Sequence, residues 1–282
     1  NEGSAWMGGL DQMEWISVGG LRLRVLIRGE GLPVLFLHGF GGRIESFLPV
    51  IEDLARDYQV IALDLPGFGM SDDPRPLQTL LSAEQESQEL LGKSPAAEEK
   101  SREPFAFGTG EYAQVLELLL DALKVRCVGI VAHSFGGRVA LDFAAHYPER
   151  VHSMILCDSA GVRPKRSLGY YCRVFAYKLG KKLGIRRENA GSEDYRSLSP
   201  AMRATFVKTV NQDCRGYLHR IDCPVLLVWG EKDADTPLYM ARAIKAGIRD
   251  CELIVFSDCG HFAYLDQTYR FNCIARSFFP KS

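Results

Sequence analysis

Short, nearly continuous apolar runs alternate along this chain with longer segments of helical spacing. The runs are "PVLFLHG" (33–39), "QVIALDLPGFG" (59–69), "RCVGIVAHS" (126–134), "VHSMILCDSAG" (151–161), "CPVLLVWG" (223–230) and "CELIVFSDCG" (251–260). Runs of this length, closed by Gly, Pro or Asp, read as strands buried on both faces of a sheet. Between them, "SFLPVIEDLARDY" (46–58), "GGRVALDFAAHYPER" (136–150) and "PLYMARAIKAGI" (237–248) carry helical spacing. "GEYAQVLELLLDALKV" does so most plainly, with apolar residues at 112, 115, 116, 119, 120 and 123. A last helix is predicted over 263–279. "MEWISVGGLRLRVLIRG" alternates on both sides of Gly19-Gly20, a hairpin signal. Strand and helix in turn predict an α/β fold with a mostly parallel sheet flanked by helices.

Two stretches break the rhythm. Residues 76–108 are polar, Glu-rich and without period, and read as a mobile insertion. Residues 160–220 hold helical patterns but no buried run, and read as a helical cap. The core is then 14–159 with 221–282. From Arg163 to Arg187 the cap carries nine Lys or Arg and no acid, with Leu168, Tyr171, Phe175, Leu179 and Lys182–Leu183 on one helical stripe. The preferred reading is an apolar face over the site with solvated charges outside. Contact with a membrane surface or guidance of an anionic substrate is the less favoured reading.

Composition narrows the picture. A formal net charge of −1 over 282 residues does not fit nucleic-acid binding through bulk charge. No apolar run approaches the roughly 18 residues of a membrane span. The opening "NEGSAWMGGLDQ" reads as a cloning remnant ahead of a start at Met7. Eight scattered cysteines without a C-x-x-C pair are expected to be reduced thiols in a cytoplasmic protein. Nothing in the pattern asks for a cofactor or a metal.

The candidate chemistry centres on "AHSFG" (132–136), where Ser134 sits between a buried run and a helix. A nucleophile elbow needs this context, with small residues two positions either side of the serine. Ala132 and Gly136 meet that demand. Serine needs a base, and the base a third group to orient it. Downstream, Asp233 follows one strand in "VLLVWGEKDADTP" and His261 follows another in "IVFSDCGHFAYLDQ". Loops past the carboxyl ends of parallel strands share one edge of the sheet. Asp158, after "MILCD", is a second carboxylate on that edge. Asp235 fits the helix-cap role before Thr236-Pro237 at least as well as Asp233 does. The other histidines fit the base less well: His38 lies in "HGFGG", His133 in the elbow, His146 and His152 beside a helix end, His219 in the cap. "HGFGG" (38–42) supplies a glycine-rich turn for an oxyanion, with the backbone N–H groups of Phe40 and Phe135 as donors.

Taken together, "VLFLHGFGG", "VIALDLPGFGMSD", "IVAHSFGGRVALDFAAHYPERV", "VLLVWGEKDADTP" and "DCGHFAYLDQ" resemble the α/β-hydrolase superfamily, in its esterase-like group with a helical cap. The resemblance covers 14–75, 109–160 and about 222–280. It implies Ser134 as nucleophile, Asp233 as acid and His261 as base. Serine at the elbow points to acyl transfer, and hydrolysis of an ester or related acyl compound is the expected activity. Gly39, His133 and Phe262 are candidate pocket residues, and Phe40, Phe135, Phe262 and Tyr264 suggest an apolar substrate. Hydrolysis of a C–C bond in a diketone-type substrate, or ligand binding with little turnover, are the alternatives. Cys157 and Cys259 lie near the same edge and are expected to be inert if buried.

Overall fold

The structure, a computed structural model, describes residues 13–78, 105–164 and 198–281. The reading of 1–12, most of the 76–108 insertion and the basic stripe of the cap lie outside the described residues.

Among the described residues eight strands form one sheet: β1 (Met13–Val18), β2 (Leu21–Arg28), β3 (Pro33–Leu37), β4 (Gln59–Leu63), β5 (Val128–His133), β6 (Val151–Cys157), β7 (Val225–Gly230) and β8 (Cys251–Phe256), in the order β1-β2-β4-β3-β5-β6-β7-β8. β1 and β2 make the expected antiparallel hairpin, with Val18 paired to Leu21. Gly19 and Gly20 turn it with φ of 54° and 80°, a pair of values that favours glycine. β2 runs antiparallel to β4, and every pair from β4 onward is parallel. Their carboxyl ends therefore open on one edge.

The described helices are α1 (Leu48–Leu54), α2 (Thr109–Ala122), α3 (Phe135–His146), α4 (Pro200–Val210), α5 (Leu238–Gly247), α6 (Ala263–Asp266) and α7 (Thr268–Phe278). Side chains of a central strand alternate between two cores. On β3, Leu35 and Leu37 join Leu116 of α2, Val139 of α3 and Ile244 of α5. Val34 and Phe36 join Ile51 of α1 and Phe271 of α7 on the other face. A sheet covered on both faces explains why β3–β7 read as continuous apolar runs.

Two expectations are corrected. β8 is an edge strand, with Leu253, Ile254 and Val255 only half-buried. The last helix is two helices, broken at Gln267, whose φ and ψ are −129° and 53°. The Gln267 side chain turns back to donate to Ser257 O and Cys259 Sγ. A tertiary contact thus interrupts a pattern that remains helical in sequence.

The elbow is the tightest joint of the fold. A Cβ on Gly136 would lie 2.2 Å from Leu37 O, and one on Gly137 2.0 Å from Ser159 Oγ. α3 can cross the ends of β3 and β6 this closely only because both residues lack side chains.

Candidate active site

Ser134 links β5 to α3 with φ 50° and ψ −114°. A side chain seldom takes a positive φ, and such residues persist only where their surroundings hold them. Here Ser134 N–H donates to Cys157 O (3.1 Å), and Ser134 O accepts from Gly137 N–H (3.0 Å) and Ala160 N–H (2.9 Å). The serine backbone is thereby pinned to the end of β6.

His261 stands in the loop after β8, and its Nε2 lies 3.0 Å from Ser134 Oγ. Its Nδ1 lies 2.9 Å from Asp233 Oδ2 in the loop after β7. A carboxylate accepts only, so Nδ1 carries the proton and Nε2 is free to accept from Ser134. Burial draws the His261 pKa down, but the bond to Asp233 and the charges of Asp233, Asp235 and Asp158 outweigh it, and the net shift is upward. Asp233 is buried, which raises its pKa. Bonds from His261 and Thr236 overcome this and bring it to about 2.

Three residues singled out in the sequence thus meet in one hydrogen-bonded line. The other two carboxylates do different work. Asp158 is fully buried, and accepts from Gly230 N–H (2.7 Å) and Ala263 N–H (3.2 Å). It ties the end of β7, just before the loop that bears Asp233, to the residue two past His261. Burial pushes its carboxyl up to about 7, against those two backbone bonds. Asp235 is exposed, and α5 starts from Pro237 without a side-chain cap, so the cap role read for Asp235 is not seen. Asp233 itself closes the turn, its Oδ1 accepting from Asp235 N–H (2.8 Å) and Thr236 N–H (3.0 Å). Among the described residues, Asp233, Asp235 and His261 are also a group whose donor atoms lie within 4.8 Å of one another. Two of the three are already bonded to each other.

The "HGFGG" turn closes through Gly42 N–H to Gly39 O (2.9 Å), with Phe40 at its corner. His38 is buried; Leu65 N–H donates to its Nε2 (2.9 Å) and its Nδ1 bonds Gly39 O (2.7 Å), so the ring braces the turn. A Cβ on Gly39 would lie 3.2 Å from Ser134 Cβ, which brings this backbone alongside the serine. Phe135 opens α3, and the first N–H groups of a helix have no intrahelical acceptor.

Of the pocket candidates, Phe262 is exposed, its ring 5.4 Å from that of His261. His133 is buried under the site, its ring between those of His261, Phe262 and Tyr264. His133 Nε2 bonds His261 O (2.7 Å), which holds the His261 backbone from behind. Burial, with the nearby His261 charge, lowers its pKa to about 3 and keeps it neutral. Tyr264 is fully buried in the core that also holds Phe47 and Phe271, and donates to Ser46 O. Phe68 and Phe206, unremarked in the sequence, complete an aromatic group with Phe40 and Phe135. Phe40 lies 4.9 Å from Phe68, 5.0 Å from Phe206 and 5.7 Å from Phe135. Cys157 and Cys259 are buried, and burial raises the Cys157 thiol pKa well above its usual value. The seven described cysteines are free.

A mostly parallel sheet with a serine at positive φ after β5, facing a histidine and a carboxylate on the same edge, has the architecture of an α/β hydrolase. A family model described as the alpha/beta hydrolase fold matches residues 33–178 and 186–268, and the chain belongs to that family. It is 26% identical over 292 residues to 2-hydroxy-6-oxo-2,4-heptadienoate hydrolase of Pseudomonas putida, covering 93% of this chain and 94% of that protein. Among solved structures, a meta-cleavage product hydrolase from Pseudomonas fluorescens superposes with a TM-score of 0.67 at 23% identity, covering 96% of this chain and 98% of the other. A thermophilic esterase from Thermogutta terrifontis does so with 0.68 at 22% identity, covering 94% and 97%. Among the described residues, no helix is long and apolar enough to cross a membrane.

Proposed function

We propose that this chain is a serine hydrolase that cleaves a carboxylic ester or related acyl compound through an acyl-enzyme on Ser134. The observation that carries this reading is the line Ser134 Oγ, His261 Nε2, His261 Nδ1, Asp233 Oδ2, with its two contacts of 3.0 and 2.9 Å. His261 takes the hydroxyl proton as Ser134 Oγ bonds to the carbonyl carbon. The N–H groups of Phe40 and Phe135 hold the oxygen that becomes negative, each such donor lowering the barrier by about 3–4 kcal/mol. The tetrahedral adduct collapses, and the leaving group departs with the proton from Nε2. Water then gives a proton to Nε2 as it attacks the acyl carbon, and the second adduct breaks its bond to Oγ, which takes that proton back from Nε2 as the acid leaves. The aromatic group around Phe40 favours an apolar acyl chain.

The test is hydrolysis of a chain-length series of chromogenic esters across pH. The base works only as neutral imidazole, and its pKa is raised above the usual 6.5. The expected result is ester turnover whose kcat/KM falls as pH drops through a one-proton limb above pH 6.5. Turnover that is flat from pH 5 to 9 would remove His261 as base. A second reading, hydrolysis of a C–C bond in a diketone-type substrate, is favoured by the likeness to the Pseudomonas putida hydrolase. It uses the same three residues. Turnover of a vinylogous diketone at a kcat/KM far above that of every ester would select it.

A further inference from the structure

We propose that Thr236 is a positioning residue, whose hydroxyl donates to Asp233 Oδ2 and thereby sets how strongly the acid holds a proton on His261. The proposal rests on the reading of Ser134, His261 and Asp233 as a triad.

Thr236 Oγ1 lies 2.5 Å from Asp233 Oδ2, the oxygen that also receives His261 Nδ1–H. The same hydroxyl is 2.9 Å from Asp158 O and 3.4 Å from His261 Nδ1. A hydroxyl has one proton to give. The ionised oxygen is both the nearer acceptor and the stronger, since charge-assisted bonds are short and strong. Asp233 then accepts four bonds: two at Oδ1 from backbone N–H groups, and at Oδ2 one each from His261 and Thr236. That fills the acceptor capacity of a carboxylate.

The rest of Thr236 is fixed without the hydroxyl. Its N–H donates to Asp233 Oδ1, and its carbonyl accepts from the buried Trp229 Nε1 at 2.6 Å. Loss of the hydroxyl therefore leaves the loop anchored and changes the charge on Oδ2. With one donor fewer, Asp233 is a stronger acceptor and stabilises the imidazolium more. His261 then keeps its proton to higher pH. Thr236 in this chain tempers the acid, so that more of the base is neutral and ready to accept from Ser134. The charged and titratable groups around His261 are Asp233 and Asp235 from the loop after β7, Asp158 from the end of β6, and His133 from β5. The substitution removes none of them.

The experiment is an NMR titration of the His261 imidazole in the full chain, assigned with His261→Gln, for wild type, Thr236→Val and Thr236→Ser. Thr236→Val keeps the branched shape and removes the donor. Its His261 pKa is expected to rise by about half a pH unit, which is about threefold less proton dissociation at a given pH. Thr236→Ser restores the donor and is expected to match wild type. Thr236→Ala, which removes the hydroxyl without filling its space, is expected to move the pKa the same way as valine. An unchanged His261 pKa in both Thr236→Val and Thr236→Ala would overturn the proposal, as would a serine variant shifted as far as valine. The rate of Ser134 labelling by a fluorophosphonate, measured across pH on the same proteins, separates the two levels of the reading. Failure of wild type to label counts against the triad, whereas the NMR shift decides the role of Thr236 by itself.

Discussion

Ser134→Ala is expected to lower kcat/KM for the best ester on the order of 10⁶-fold, about 8 kcal/mol of barrier. The size follows from what the side chain does in the proposed reaction. Without Oγ no acyl-enzyme forms, and the base has nothing to activate except water. The residual rate would come from the oxyanion donors and from binding alone. The loss is expected to be confined to chemistry. The Ser134 backbone bonds to Cys157, Gly137 and Ala160 do not involve Oγ, so the melting temperature of the variant should stay near that of wild type. Turnover assays beside a thermal melt check both halves of this expectation. Retained activity would move the nucleophile elsewhere.

Asp233→Asn is expected to cost about 10⁴-fold in kcat. The geometry gives the reason. Oδ1 of Asp233 accepts two backbone N–H groups, so the oxygen of an asparagine is held on that side. Its amide nitrogen then replaces Oδ2 and presents a donor to His261 Nδ1. The imidazole answers by carrying its proton on Nε2, where it can no longer accept from Ser134. Asp158→Asn serves as the contrast. Asp158 bonds backbone N–H groups rather than His261, so its loss loosens two loops without changing the tautomer, and about tenfold in kcat is expected. Kinetics of the two variants under identical conditions check the ranking. A larger loss for Asp158→Asn than for Asp233→Asn would transfer the role of the acid to Asp158.

Much of this was legible from hydrophobic pattern. β3, β5, β6 and β7 are covered by helices on both faces, so their sequences are apolar without interruption. α2 buries Tyr112, Val115, Leu116, Leu119 and Leu120, as its spacing predicts. The chain order of Ser134, Asp233 and His261, each past the carboxyl end of a strand, places all three on one edge. What stayed hidden depends on side chains reaching across the fold. Gln267 breaks the last helix by bonding backward to the β8 loop. Tyr264 follows His261 closely in sequence yet packs into the opposite core. Phe206 comes to Phe40 from α4, across more than half the chain. In the sequence Thr236 reads as part of a helix start, before Pro237. The one local signal it carried was its spacing, three residues after an aspartate, which suits a side-chain-closed turn.

The central claim is that Ser134 is an activated nucleophile, and the most direct measurement is intact-mass labelling with a fluorophosphonate probe, using Ser134→Ala as control. The account predicts a single adduct on the wild-type chain, formed faster as pH rises through the His261 limb and absent from the variant. No adduct on the wild-type chain, or one that persists in Ser134→Ala, would contradict it.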